Sequence, residues 1–148
     1  MAFLAASSSS LCAQALDKKV LGFAAARKMA TAAQEAARAR KVEVVIVVVD
    51  DGGHIILLER MDGAQVASVN VGIGKARTAA IYRRPSKVFE DQIRNGRVAA
   101  LALADATPLQ GGVPVLLDGK VIGAIGVSGD SPQIDEDIAI EGARAFKQ

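Results

Sequence analysis

Residues 42–59 read VEVVIVVVDDGGHIILLE, and the fold follows from how that stretch is read. Val42 to Val49 is almost entirely β-branched and has no regular polar alternation, which predicts a strand buried on both faces. Asp50-Asp51-Gly52-Gly53 then turns the chain, because glycine tolerates positive φ and aspartate bonds its own backbone. His54 to Glu59 returns as a second strand, so the stretch is a β-hairpin with a four-residue loop.

Downstream the pattern repeats. Val113 to Leu117 predicts a strand, Asp118-Gly119 a two-residue hairpin turn, and Lys120 to Val127 the partner strand. Ser131 is placed as an N-cap with Pro132 at the first helical position, and the last helix runs to about Phe146. Between the hairpins, residues 64–82 predict a helix with Val66, Val69, Ile73, Ala76, Ala80 and Ile81 on its apolar side. Gly72 and Gly74 lower its propensity and permit close approach of a neighbour or ligand. Pro85 halts it, Ser86 caps a short helix toward Arg94, and Asn95-Gly96 ends that one. Residues 97–112 fit either a strand or a helical turn ahead of an irregular loop. Upstream, Leu16 to about Arg40 predicts a helix whose narrow, Ala-rich stripe suits close packing on a sheet. The order is helix, hairpin, two helices, hairpin, helix. Hairpins without parallel crossovers imply an α+β fold: a central antiparallel sheet flanked by helices, sandwich-like.

With 148 residues the chain has room for one domain, taken as residues 16–148. No Trp, one Tyr and four Phe leave an aliphatic core. Residues 1–15, MAFLAASSSSLCAQA, end in an Ala13-Gln14-Ala15 sequence that suits signal peptidase but lack a positively charged start. They read as the remnant of an export signal, implying a periplasmic or secreted protein, or else as a disordered extension of a cytoplasmic one. A single Cys12 excludes an intrachain disulfide. No run approaches the ~20 apolar residues of a membrane helix, so no membrane partner is expected.

A net charge of +2 does not argue for nucleic acid. The basic stretch from Lys75 to Arg97 includes Arg77, Arg83, Arg84, Lys87 and Arg94, and suits a small anionic ligand or a solvated helix face. Only Tyr82 and Phe89 are there to stack bases, so nucleic acid is not expected as a partner. The acidic run Asp130, Asp135, Glu136, Asp137 and Glu141 is read chiefly as a complement to a helix dipole.

His54 is the one histidine, so sites built from several histidines are excluded. Opening a strand after a glycine turn, it is a candidate ligand for haem iron or a proton shuttle, against an exposed loop histidine. Arg60 is a candidate anion contact and Asp62 a helix cap. Lys75, Thr78 and Tyr82 share a helical face, which presents a cation and two hydroxyls to a carboxylate or else is polar outer surface. Neither a nucleophile elbow nor a dinucleotide fingerprint is present.

Three stretches together, VVVDDGGHIILLERMDGA, KARTAAIYRRPS and GGVPVLLDGKVIGAIGVSGDSPQIDEDIAIEGA, resemble the GlcG/HbpS-like, haem-binding family in order and over nearly all of residues 16–146. The resemblance implies a somewhat profilin-like domain, dimer-based homo-oligomers and haem as cofactor. It also implies a Thr or His as iron ligand, which maps onto Ser86 or His54 here, with Arg83, Arg84 and Lys75 as partners for the haem propionates. Three functions fit: binding of haem or a related tetrapyrrole; a cofactor-free isomerase or tautomerase of a small unsaturated acid; and an oligomeric regulatory protein. In the second, Lys75, Arg60 or Arg84 holds the carboxylate while Asp50, His54 or Asp135 moves a proton.

Overall fold

The computed structural model describes residues 16–147, so the expected export remnant at 1–15 lies outside the described residues. Strands β1 (Val45–Asp50) and β2 (Ile55–Arg60) form the first hairpin, with Val47 opposite Leu58. At its turn the Asp50 Oδ1 accepts the backbone N–H of Gly52 and of His54, each at 2.9 Å, and Gly53 takes φ +82°. Strands β3 (Gly112–Leu117) and β4 (Lys120–Ser128) form the second hairpin. Asp118 and Gly119 both have positive φ there, as a tight two-residue turn requires. The sheet order is β2-β1-β4-β3, all antiparallel, so the two hairpins join through β1 and β4, with Val47 opposite Gly126.

Helices cover both faces. Against one face lie α1 (Phe23–Ala39) and α4 (Pro132–Ala145), whose Met29, Ala33 and Ile138 meet Ile46, Val48, Ile125 and Val127. Against the other lies α2 (Ser68–Ile81), whose Ala76, Ala79 and Ala80 meet Val45, Val47, Val49 and Ala124. Of the strand expected over Val42 to Val49, Val45 to Val49 are strand and all at most 1% exposed, while residues 42–44 precede it and Glu43 is exposed. Each such side chain contributes about 1.5–3 kcal/mol on burial. Helix α3 (Lys87–Arg94) and a 3₁₀ helix (Val98–Ala102) pack on one another beside α2.

Glycines bring α2 unusually near the sheet. A Cβ at Gly126 would stand 2.5 Å from the Gly72 carbonyl oxygen and 2.6 Å from the Ala76 nitrogen. Gly72 meets Val47 and Gly74 meets Thr107, so the close approach foreseen at these glycines is to the protein's own core and loop.

Several boundaries differ from the sequence expectation. Helix α1 starts at Phe23, not Leu16, because Gly22 is costly inside a helix and tolerated at its cap. Leu21 packs instead on Gly123. Helix α2 starts at Ser68, so Asp62 is not its cap. Ser131 holds the N-cap position of α4 without a side-chain cap bond; Asp130 and Asp135 carboxylates take the N–H groups of Ser131 and Asp130. The ambiguous 97–112 stretch is the 3₁₀ helix followed by a loop.

Candidate functional site

Two of the residues singled out above meet in the interior. Lys75 falls in register with Gly72, Ala76 and Ala79 on the buried side of α2, and Asp135 with Ile138, Ala139 and Gly142 on the buried side of α4. The Lys75 ammonium donates to Asp135 Oδ2 at 2.7 Å and to the Val127 carbonyl at 3.0 Å. Their side chains are 4% and 2% exposed. Burial lifts the Asp135 carboxyl above its ordinary range, and the Lys75 pair with the Asp130 N–H only partly counters this.

This ion pair forms the floor of a cleft of about 250 Å³, walled by α2, the end of β4, the loop at Leu109–Gln110 and the start of α4. Ser68 and Ser128, both more than nine-tenths buried, line it as well. Behind it Gln110 donates to Glu136 at 2.6 Å, while its own N–H is taken by Glu90, so this loop is tied to both α3 and α4.

His54 lies elsewhere. Its side chain is 80% exposed, with Nδ1 3.3 Å from Asp50 Oδ1 and Nε2 unbonded among the described residues. In Asp50, burial raises the carboxyl, but the N–H groups of His54 and Gly52 and the imidazole outweigh it and hold it below its ordinary value. From α2, Arg77 packs on Gly53 and donates to its carbonyl at 3.4 Å. Strand β1 runs from Val45, opposite Ser128, to Asp50 beside this turn. Six residues of strand separate those ends by roughly 17 Å.

The candidates named from sequence therefore do not form one site. Arg60 is exposed at the far end of β2 from His54. Lys75 and Thr78 are buried rather than on an outer surface. Thr78 Oγ1 accepts the Thr107 N–H at 2.7 Å and donates to Gly74, and Tyr82 donates to Ala104, so these hydroxyls hold the 104–107 loop. Arg84 is exposed over the Phe89 ring at the α2–α3 bend. Ser86 precedes α3 as expected, but its hydroxyl makes no cap bond: it donates to Leu109 and accepts the Gly112 N–H at 2.8 Å. Its side chain is fully buried and engaged with the backbone of the 109–112 loop. Among the described residues no cluster of three or more His, Cys, Asp or Glu could hold a metal ion.

Residues 21–144 match the family model described as haem degrading protein HbpS-like. The chain belongs to the HbpS-like family. Among HbpS-like relatives, protein GlcG of Escherichia coli is 42% identical over 111 residues, 75% of this chain and 83% of that one. The crystal structure of Klebsiella pneumoniae protein ORFY superposes with a TM-score of 0.86 at 32% identity, over 93% of this chain and 98% of that one. A PduOC:haem complex superposes with a TM-score of 0.78 at 28% identity, over 86% and 95%.

In this HbpS-like chain the Lys75–Asp135 contact was missed as a pair. The signal was available: each charge falls in phase with an apolar helical stripe, where a solvated residue would not. Ser68, Ser128 and Gln110 carry no such signal.

Replacing Ser86 by Ala leaves the Gly112 N–H without its buried acceptor, an expected loss of about 1–3 kcal/mol in urea unfolding. A loss below a few tenths would show that water replaces the hydroxyl.

Proposed function

We propose that this protein binds haem, or a closely related tetrapyrrole, and that His54 is the residue that would hold its iron. The observation that supports it most is the exposed imidazole whose Nδ1 faces a low-pKa carboxylate while Nε2 is open. A carboxylate behind a ligating histidine sets its tautomer and raises its basicity. Haem brings four of its own iron ligands, so one protein donor would suffice where the described residues hold no multi-residue metal cluster. The likeness to PduOC, solved with haem, supports the same reading.

The residues at the β1–β2 turn fit the group in part. His54 offers the donor, half-exposed Ile55 an adjacent apolar surface, and Arg77 a cation for a propionate. Lys75, foreseen in that last role, is matched to Asp135 near the other end of the sheet. The 250 Å³ cleft is below the ~300–1,000 Å³ of ordinary ligand pockets and does not enclose a tetrapyrrole. A haem held at the turn is therefore surface-bound, and we propose that a second copy of the chain covers its open face. The bound group supplies iron redox chemistry; the chain holds it and tunes the donor.

Titration with haemin, followed by absorbance, tests this. Wild type is expected to give a saturable Soret shift that His54→Ala abolishes and Ser86→Ala retains. Asp50→Asn is expected to weaken it by about 10–100-fold. A flat wild-type titration, or one unchanged by His54→Ala, overturns the assignment.

A further inference from the structure

The cleft over Lys75 and Asp135 is unconnected with the haem reading and has its own unspent groups. An ammonium has three N–H donors. Two go to Asp135 and Val127, leaving one on the cleft floor. The Ser68 and Ser128 hydroxyls make no hydrogen bond among the described residues and line the same space. Pro132 at its rim begins the 14-residue α4, whose N-terminal end carries partial positive charge. The unspent groups can all donate to an acceptor-rich guest. At ~30 Å³ for each water, the volume equals roughly eight waters, which suits a small organic acid.

Charge sets the condition. The titratable or charged groups facing Asp135 are Lys75 from α2 and Asp130 from the β4–α4 loop. Glu136, its neighbour in α4, is bonded to Gln110. With Asp135 ionised, two carboxylates oppose one ammonium and an anion is repelled. With Asp135 protonated, one carboxylate, Asp130, faces one ammonium, so an anion is no longer repelled and the Asp135 carboxyl can donate a hydrogen bond.

We propose that this cleft binds a small monocarboxylate together with one proton, the anion taken by Lys75, Ser68 and Ser128 and the proton by Asp135. The reaction is anion plus proton plus protein to complex, with no bond to carbon made or broken. Burial of Asp135, which already disfavours its charge, makes the uptake cheaper than at an exposed aspartate.

Calorimetric titration of the wild-type protein with acetate and with lactate, at about pH 5.5 and about pH 8, tests this in two buffers of different ionisation enthalpy. Affinity is expected to fall as pH rises, by up to about tenfold per unit, with a buffer-dependent heat corresponding to one proton taken up. Asp135→Asn, which keeps the carboxyl's shape without its charge, is expected to bind at about pH 8 more tightly than wild type and nearly independently of pH. If that variant does not fold, the wild-type buffer dependence decides alone. Absence of saturable heat with both acids at about pH 5.5, or an affinity with no pH dependence and no proton uptake, overturns the proposal. Haemin binding through His54 is expected to be unchanged by Asp135→Asn, so the two readings fail separately.

Discussion

Lys75→Ala is expected to lose about 3–5 kcal/mol of folding stability near neutral pH, measured by urea unfolding. Removing one member of a buried pair leaves the other charge uncompensated, and Asp135 is 2% exposed with no second cation on it among the described residues. The cost is larger than the net value of the pair itself, because a dry carboxylate must either stay charged or take up a proton. That choice gives the loss a pH dependence. In the wild type, burial raises the folded value of Asp135 above the ordinary 3.8. Its contribution is therefore fully present below that ordinary value and declines as pH rises through the folded value. Without Lys75 the folded value rises further, so the deficit of the variant should shrink on acidification and widen toward alkaline pH. Adding Asp135→Asn to Lys75→Ala should recover much of the loss, since no charge is then left buried. A single-variant cost below about 1 kcal/mol would show that water reaches the pair freely.

Gly126→Val should be the most damaging single substitution in the sheet. Its Cβ falls on backbone atoms of α2, the Gly72 oxygen at 2.5 Å and the Ala76 nitrogen at 2.6 Å, and no rotamer change relieves that. Helix α2 must lift from β4, thinning the contacts of Ala76, Ala79 and Ala80 with the sheet. Overpacking of this kind costs about 1–3 kcal/mol for extra methylenes and more where backbone must move. For a chain of this size each kcal/mol lowers Tm by about 2–4 °C. Because α2 also carries Lys75 and Thr78, the cleft and the 104–107 loop should loosen with it. Gly22→Ala is the control: nothing lies within 4 Å of its Cβ, and its stability should change by no more than about 0.5 kcal/mol. Equal Tm values for the two variants would contradict the close packing of α2.

The hairpins were legible because their signals are local. Eight consecutive residues from Val42 to Val49, nearly all β-branched, admit little but a buried strand, and Asp50 to Gly53 and Asp118-Gly119 carry their turn chemistry in their own side chains. The element order, the antiparallel pairing within each hairpin and the HbpS-like resemblance all come from such contiguous stretches. Misplaced boundaries have the same origin. The expected start of α1 at Leu16 passes over the helix cost of Gly22, and Asp62 has the side chain of a cap but lies six residues before Ser68, where α2 begins.

Whatever depends on residues far apart in the chain was decided by the tertiary structure. The joining of the hairpins through β1 and β4 brings together segments some eighty residues apart, and no turn residue encodes it. That joining sets the rest. It presses α2 onto Gly126, brings together Lys75 and Asp135, sixty positions apart, and commits the Ser86 hydroxyl to Leu109 and Gly112. It also places His54 and the Lys75 cleft near opposite ends of the same strand. The strands, the turns and the family are each written in neighbouring side chains. Which charges are buried and which are free was decided only when distant helices met over the sheet, because desolvation belongs to the packed interior and not to any residue alone.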